Sequence, residues 1–184
     1  IPVFISSDYV YDGKKGDYTE NDTRNPNTVY GNQKKAIEDF LESNGNHLTV
    51  RLSKIFGISK YDGTLLTSWL NQLKQDKEIF CAKDQIFCPT YIQDLMVALD
   101  IALQKNLSGF YNLSSPEKFS KYNLATMMKS QLKVISGAIK SCSINDLNFL
   151  ESLPLDTSMN PSKFLKDIDF KFHTMKECIA GLEQ

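Results

Sequence analysis

Within the first 57 residues an apolar run, a long polar loop, a helix-patterned segment and a second apolar run follow one another, and that order admits few architectures. Residues 2–6 (PVFIS) read as a short buried strand. The loop SDYVYDGKKGDYTENDTRNPN comes next, with Asp12-Gly13 and Pro26 as turn signals. Thr28 suits a helix N-cap, and Val29, Ala36, Ile37, Phe40 and Leu41 recur at helical spacing to about Glu42. Asn44-Gly45-Asn46 stops the helix, and residues 47–56 (HLTVRLSKIF) alternate as a strand that ends at Gly57. Strand, helix, strand is the grammar of a parallel sheet, so the fold class is α/β.

Beyond Gly57 the elements are shorter and more mixed. A helix over about 64–75 carries Trp69 among four leucines. Two apolar runs, at 79–81 and 86–88, are joined by Lys83-Asp84-Gln85 and read as a hairpin or as two edge strands. A helix over 93–104, a strand over 110–113 and a helix over 121–133 follow, and the less regular remainder ends in a helix near 174–182. The 184 residues, 41% of them hydrophobic, suffice for one domain with a sizeable core. Within it, residues 1–57 form the end of the parallel sheet, and 58–184 mainly a smaller mixed lobe with returning sheet elements.

Several function classes fall away on composition. Twenty-one basic residues against 22 acidic ones leave no positive excess for a nucleic-acid partner. No apolar run approaches the roughly 20 residues of a membrane helix, and the opening segment lacks the basic start of a signal peptide. Cys81, Cys88, Cys142 and Cys178 form no C-x-x-C pair, and His47 and His173 stand at no metal-ligand spacing from them. Free thiols in a reducing cytoplasm, with no metal site, are the better reading, although a Cys81–Cys88 bridge across a hairpin is conceivable.

Two segments carry chemistry. Tyr30-Gly31-Asn32-Gln33-Lys34 opens the first helix, where positions i and i+4 share a face. An ammonium there favours the phenolate of Tyr30, which makes that residue a proton donor or acceptor for a substrate oxygen. A second copy, Tyr11 to Lys15, crosses an Asp-Gly turn and holds no helical geometry. Taken alone, Tyr30 also reads as a half-buried aromatic and Lys34 as a solvated lysine. Ser6-Ser7-Asp8 closes the first strand, and ligands bind at the carboxyl ends of strands in open α/β sheets. A hydroxyl there can bind a substrate carbonyl, while the plainer reading of Ser7 or Asp8 is a cap or a turn.

The run SSDYVYDGKKGDYTENDTRNPNTVYGNQKKAIE resembles the extended short-chain dehydrogenase/reductases, and within them the dTDP-4-dehydrorhamnose reductase group. Arg51-Leu52-Ser53, Pro89-Thr90 and Pro154-Leu155-Asp156 before Lys163 extend the likeness over most of the chain. The resemblance implies the C-terminal part of a Rossmann-like sheet with a substrate-binding lobe. It makes Ser7, Tyr30 and Lys34 the catalytic trio, with Tyr30 and Lys34 also at the cofactor, NADPH or NADH. It places Asp8 and Tyr9 along the sugar pocket. Lys54 stands where the group's pattern has a sugar-contacting tryptophan, which adds Lys54 to the substrate-binding set and leaves the sugar open.

The group's glycine-rich phosphate loop is absent, since the only G-x-x-G, Gly13 to Gly16, lies in the polar loop. The cofactor-gripping half is therefore expected upstream of Ile1, in the same or another chain. Alone, this chain is expected to bind NADPH poorly, to turn nothing over, and to leave a sheet edge that a homodimer would cover. The implied function is reduction of a nucleotide-activated 4-keto-6-deoxy sugar. Two other readings stay open. The regulatory beta subunit of methionine adenosyltransferase also resembles this motif, and so do epimerases of other nucleotide sugars.

Overall fold

The computed structural model describes residues 1–182. In chain order the elements are β1 (Val3–Ser7), α1 (Val29–Asn44), β2 (Leu48–Leu52), β3 (Ile55–Phe56), α2 (Leu65–Lys74), β4 (Glu78–Ala82), β5 (Ile86–Phe87), β6 (Thr90–Tyr91), α3 (Ile92–Gln104), β7 (Gly109–Leu113), β8 (Phe119–Ser120), α4 (Lys121–Gln131), β9 (Ala138–Cys142), α5 (Ser162–Ile168) and α6 (Met175–Gly181). No helix among them is long and apolar enough to cross a membrane.

The main sheet is parallel, in the order β1-β2-β7. Its middle strand is buried along its whole length, as expected for a parallel strand covered on both faces. Period-two alternation still decides what goes where. Leu48, Val50 and Leu52 face a core shared with Leu95, Ala98 and Ala102 of α3 and Phe164 and Ile168 of α5. Arg51 turns to the other face, where it meets Glu38 of α1. A second core joins α2, α4 and α6 to β4 and β5 through Leu66, Trp69, Leu73, Ile79, Phe87, Leu124, Met128 and Ile179. The chain is thus a sheet lobe and a smaller lobe, and β7, α3 and α5 return to the first.

Three local points refine the sequence reading. Residues 2–6 were read as a buried strand, yet Val3 and Ile5 are exposed, because β1 is an edge strand paired on one side to β2. The apolar run of α1 is not its inner face. Val29, Ile37 and Phe40 point outward, and the helix buries Gly31 and Glu38 instead. Finally, of the two readings of the runs at 79–81 and 86–88, the hairpin fails and two edge strands hold. β4 pairs in parallel with β9, β5 pairs antiparallel with β8, and all four cysteines are free thiols.

The start of α1 is tightly fixed. The Thr28 hydroxyl accepts from the Gly31 amide at 3.0 Å, a direct N-cap. Gly31 also lies under the 3-10 turn Asp8–Val10, where any Cβ would collide with the Tyr9 carbonyl oxygen. Gly31→Ala should therefore cost about 1–3 kcal/mol through overpacking, despite alanine's better helix propensity. A thermal melt in which Gly31→Ala matches or exceeds wild type would show that the turn relaxes freely.

Candidate functional site

β1 delivers Ser7 to the carboxyl end of the sheet, and the following turn presents Asp8 and Tyr9. The Ser7 hydroxyl donates to Asp8 Oδ1 at 3.0 Å and accepts from the Tyr9 amide at 3.2 Å. It therefore caps the turn, as its position suggests, while also lining a cavity of about 540 Å³. The same cavity is lined by Asp8, Tyr9, Tyr30, Ser53, Lys54, Gln85, Lys121 and Thr157. A larger surface hollow between Ile58 and Leu182, about 970 Å³, brings together none of these residues.

Five of the six candidate residues thus meet at one cavity, and the sixth, Lys34, stands behind Tyr30. The Lys34 Nζ lies 5.6 Å from the Tyr30 ring centroid, 4.9 Å from that of Phe4, and donates to the Ile5 carbonyl at 2.8 Å. Helical i, i+4 spacing accounts for this stacking of the ammonium on the phenol. Tyr30 is 48% exposed and meets Tyr9 edge-on, with ring centroids 6.1 Å apart. The other Y-x-x-x-K is structural: Tyr11 is buried, stacks on Tyr18 and accepts from Arg51.

Asp8 is a structural node beneath the cavity. Its Oδ1 takes the Ser7 proton, and its Oδ2 takes those of Ser53 and Thr157, each at 2.9 Å. Burial pushes its carboxyl up from the ordinary 3.8 to about 6, against the hydrogen bonds from Thr157, Ser53 and Ser7. Burial, and then the nearby Asp8 charge, pushes Tyr9 up to about 12. Tyr9 is accordingly a neutral hydrogen-bond donor at physiological pH. Lys121 is held below its ordinary value by burial and by Lys54.

The raised Asp8 carboxyl has a measurable consequence. The folded chain binds this proton more tightly than the unfolded chain, so the contribution to stability is complete below pH about 4 and is lost as pH rises through about 6. At about 1.4 kcal/mol per pH unit the loss is about 3 kcal/mol. Asp12, Asp22, Asp62 and Asp84 are held low and contribute in the opposite sense. The clean measure is therefore a difference. Between pH about 4 and about 7, Asp8→Asn should gain about 3 kcal/mol on wild type in urea unfolding. Parallel curves for the two proteins would mean that Asp8 does not titrate in this window.

Sequence reasoning missed Ser53, Thr157, Gln85 and Lys121 as cavity residues. Ser53 closes one motif that the family resemblance did pick out and Thr157 adjoins another, and that was the available signal. Gln85 sits in the short connection between β4 and β5, and Lys121 opens α4. Nothing local marks either one, because the packing of the two lobes brings them to the cavity.

Comparison with known proteins places the chain in a family. A family model described as the RmlD substrate binding domain matches residues 2–182. The chain is 30% identical over 161 residues to a dTDP-4-dehydrorhamnose reductase of Sinorhizobium fredii, covering 82% of this chain and 53% of that protein. It is also 30% identical over 131 residues to methionine adenosyltransferase 2 subunit beta of Danio rerio, covering 66% of this chain and 40% of that protein. Its structure superposes with a TM-score of 0.85 on a dTDP-4-dehydrorhamnose reductase of Bacillus anthracis solved in complex with NADP, at 26% identity, over 98% of this chain and 63% of that one. The chain spans about half the length of the curated relatives it matches. With a strand-end serine, a helix-borne tyrosine and lysine, and a family match across residues 2–182, the chain belongs to the RmlD substrate-binding domain family of the extended short-chain dehydrogenases/reductases.

Proposed function

We propose that the native-length protein carrying this chain reduces the keto group of a nucleotide-activated 4-keto-6-deoxy sugar. The observation that carries this reading is the convergence of the Ser7 hydroxyl and Tyr30 on one cavity, with the Lys34 ammonium behind the tyrosine. A carbonyl oxygen between Ser7 and Tyr30 accepts a hydrogen bond from each. Tyr30 gives up its proton as negative charge develops on that oxygen, and the Lys34 charge stabilises the phenolate left behind. Ser7 must turn its proton from Asp8 to the substrate, while Ser53 and Thr157 keep the carboxylate satisfied. Tyr9, neutral at working pH, donates to the sugar.

NADPH or NADH supplies the hydride when bound. The residues present fit its ribose end. Lys34 uses one donor on the Ile5 carbonyl and has two more for ribose hydroxyls, and Tyr30 is open beside it. They do not offer a grip for the pyrophosphate. The Gly13–Gly16 loop packs against Pro154 and Asp156.

The test is NADPH consumption by native-length protein offered a panel of 4-keto-6-deoxy sugar nucleotides, with the sugar product identified. Turnover with one of them is the expected result. The likeness to methionine adenosyltransferase beta subunits favours a second reading, a non-catalytic binding subunit. No turnover with any sugar, together with co-purification with a methionine adenosyltransferase, would replace the first reading by the second.

A further inference from the structure

We propose that Lys54 and Lys121 form a two-point anion clamp across the cavity, and that the substrate brings to it an anionic group together with a hydroxyl that donates to Gln85. The anion is either the diphosphate joining sugar to nucleoside or a carboxylate on the sugar. This deepens the reading of the cavity as a sugar-nucleotide site and rests on it.

The two lysines come from different lobes. Lys54 follows β2 of the sheet lobe directly after Ser53, which binds Asp8. Lys121 is the first residue of α4 in the smaller lobe, after the Ser120 cap. Both line the cavity that holds Ser7 and Tyr30. Among the described residues neither lysine makes an ion pair. Asp8, the carboxylate in the lining, forms no ion pair with either lysine, and its oxygens accept instead from Ser7, Ser53 and Thr157. Two like charges therefore face one hollow, and Lys121 is buried enough for its charge to be disfavoured by that burial and by Lys54. A ligand anion between them relieves both penalties.

Gln85 gives an independent pointer. Its side chain is 5% exposed, lines the same cavity, and its Oε1 has no hydrogen-bond partner. A buried acceptor without a donor is uncommon in folded proteins and costly when left unmade. A hydroxyl beside an anionic group is what sugar nucleotides and acidic sugars both present.

The experiment is calorimetric titration of the protein with thymidine diphosphate, thymidine, UDP-glucuronate and UDP-glucose. Wild type is compared with Lys54→Gln, Lys121→Gln, the double variant, and the charge-keeping Lys121→Arg as a control for folding. Each Lys→Gln change should weaken the anion-dependent part of binding about 10-fold and the pair about 100-fold, with Lys121→Arg retaining most of it. If the loss appears with thymidine diphosphate, the clamp holds the diphosphate. If thymidine diphosphate is unaffected and the preference for UDP-glucuronate over UDP-glucose disappears, it holds a sugar carboxylate. Wild-type affinity for every probe in the double variant would overturn the clamp and leave the sugar-nucleotide reading standing. Failure of wild type to bind any probe would overturn both.

Discussion

Glu38→Ala is expected to lower the unfolding free energy by about 3–5 kcal/mol, the largest stability loss of any single substitution considered for this chain. Glu38 is fully buried on the inner face of α1, and Arg51 is 1% exposed at the centre of β2. Arg51 reaches the carboxylate through Nε at 3.0 Å and Nη2 at 2.7 Å, and donates from Nη1 to Tyr11 at 2.6 Å. Arg24 adds a third contact to Glu38 at 3.2 Å, and both guanidinium groups lie over the Phe110 ring, at 5.1 and 4.9 Å. Burial opposes the charge on Arg51, but Glu38 and Tyr11 together more than offset it and hold its pKa above the ordinary value. Removing Glu38 leaves that guanidinium buried with only a neutral tyrosine. The double change Glu38→Leu with Arg51→Met should recover most of the loss, since a well-packed apolar pair of similar volume is often as stable as the ion pair. Urea unfolding of the three proteins decides the matter. A Glu38→Ala cost below about 1 kcal/mol would show that water reaches Arg51 and the pair is not truly buried.

The same ion pair marks where the sequence stopped being legible. Helical spacing in α1 identified the helix, its Thr28 cap and its Gly45 stop, all of which are local features. It does not say which face turns inward: an apolar stripe is ordinarily the buried one, and here the sheet offers the helix an arginine rather than a leucine. The parallel pairing of β4 with β9 was out of reach for a related reason. Its partner begins at Ala138, far beyond the turn that suggested a hairpin, and no local signal encodes so distant a register. The meeting of Ser7 and Tyr30 at one cavity, with Lys34 beside the tyrosine, could be anticipated because one motif carries the last two and a strand end carries the first. The role of Asp8 was not, since Ser53 and Thr157 lie 45 and 149 positions away. Resemblance assigned Asp8 to the sugar pocket. The structure places it in the lining, with its oxygens accepting from Ser7, Ser53 and Thr157.

Tyr30→Phe should lower the rate of sugar reduction by about 10²–10⁴-fold, the range that removal of a positioned general acid commonly costs. Binding should change little. Phenylalanine keeps the ring that meets Tyr9 at 6.1 Å, and the neighbouring Thr28 cap does not involve the phenol. The loss should thus fall on kcat, with the sugar-nucleotide Kd nearly unchanged, which is the signature of an interaction made in the transition state. Lys34→Met should follow the same pattern more weakly through the proton step, and should also raise the NADPH KM if its remaining donors hold the ribose. That split would separate the two residues in the proposed mechanism: the loss of the Tyr30 phenol falls chiefly on the reacting oxygen, and that of Lys34 on both the tyrosine and the cofactor. Wild-type kcat in Tyr30→Phe would move the proton to another donor. Tyr9 is the next phenol in the cavity, but burial and Asp8 push it up to about 12, which makes it the poorer acid. A Tyr9→Phe variant with the larger kcat loss would therefore overturn the assignment of roles and the electrostatic argument behind it together.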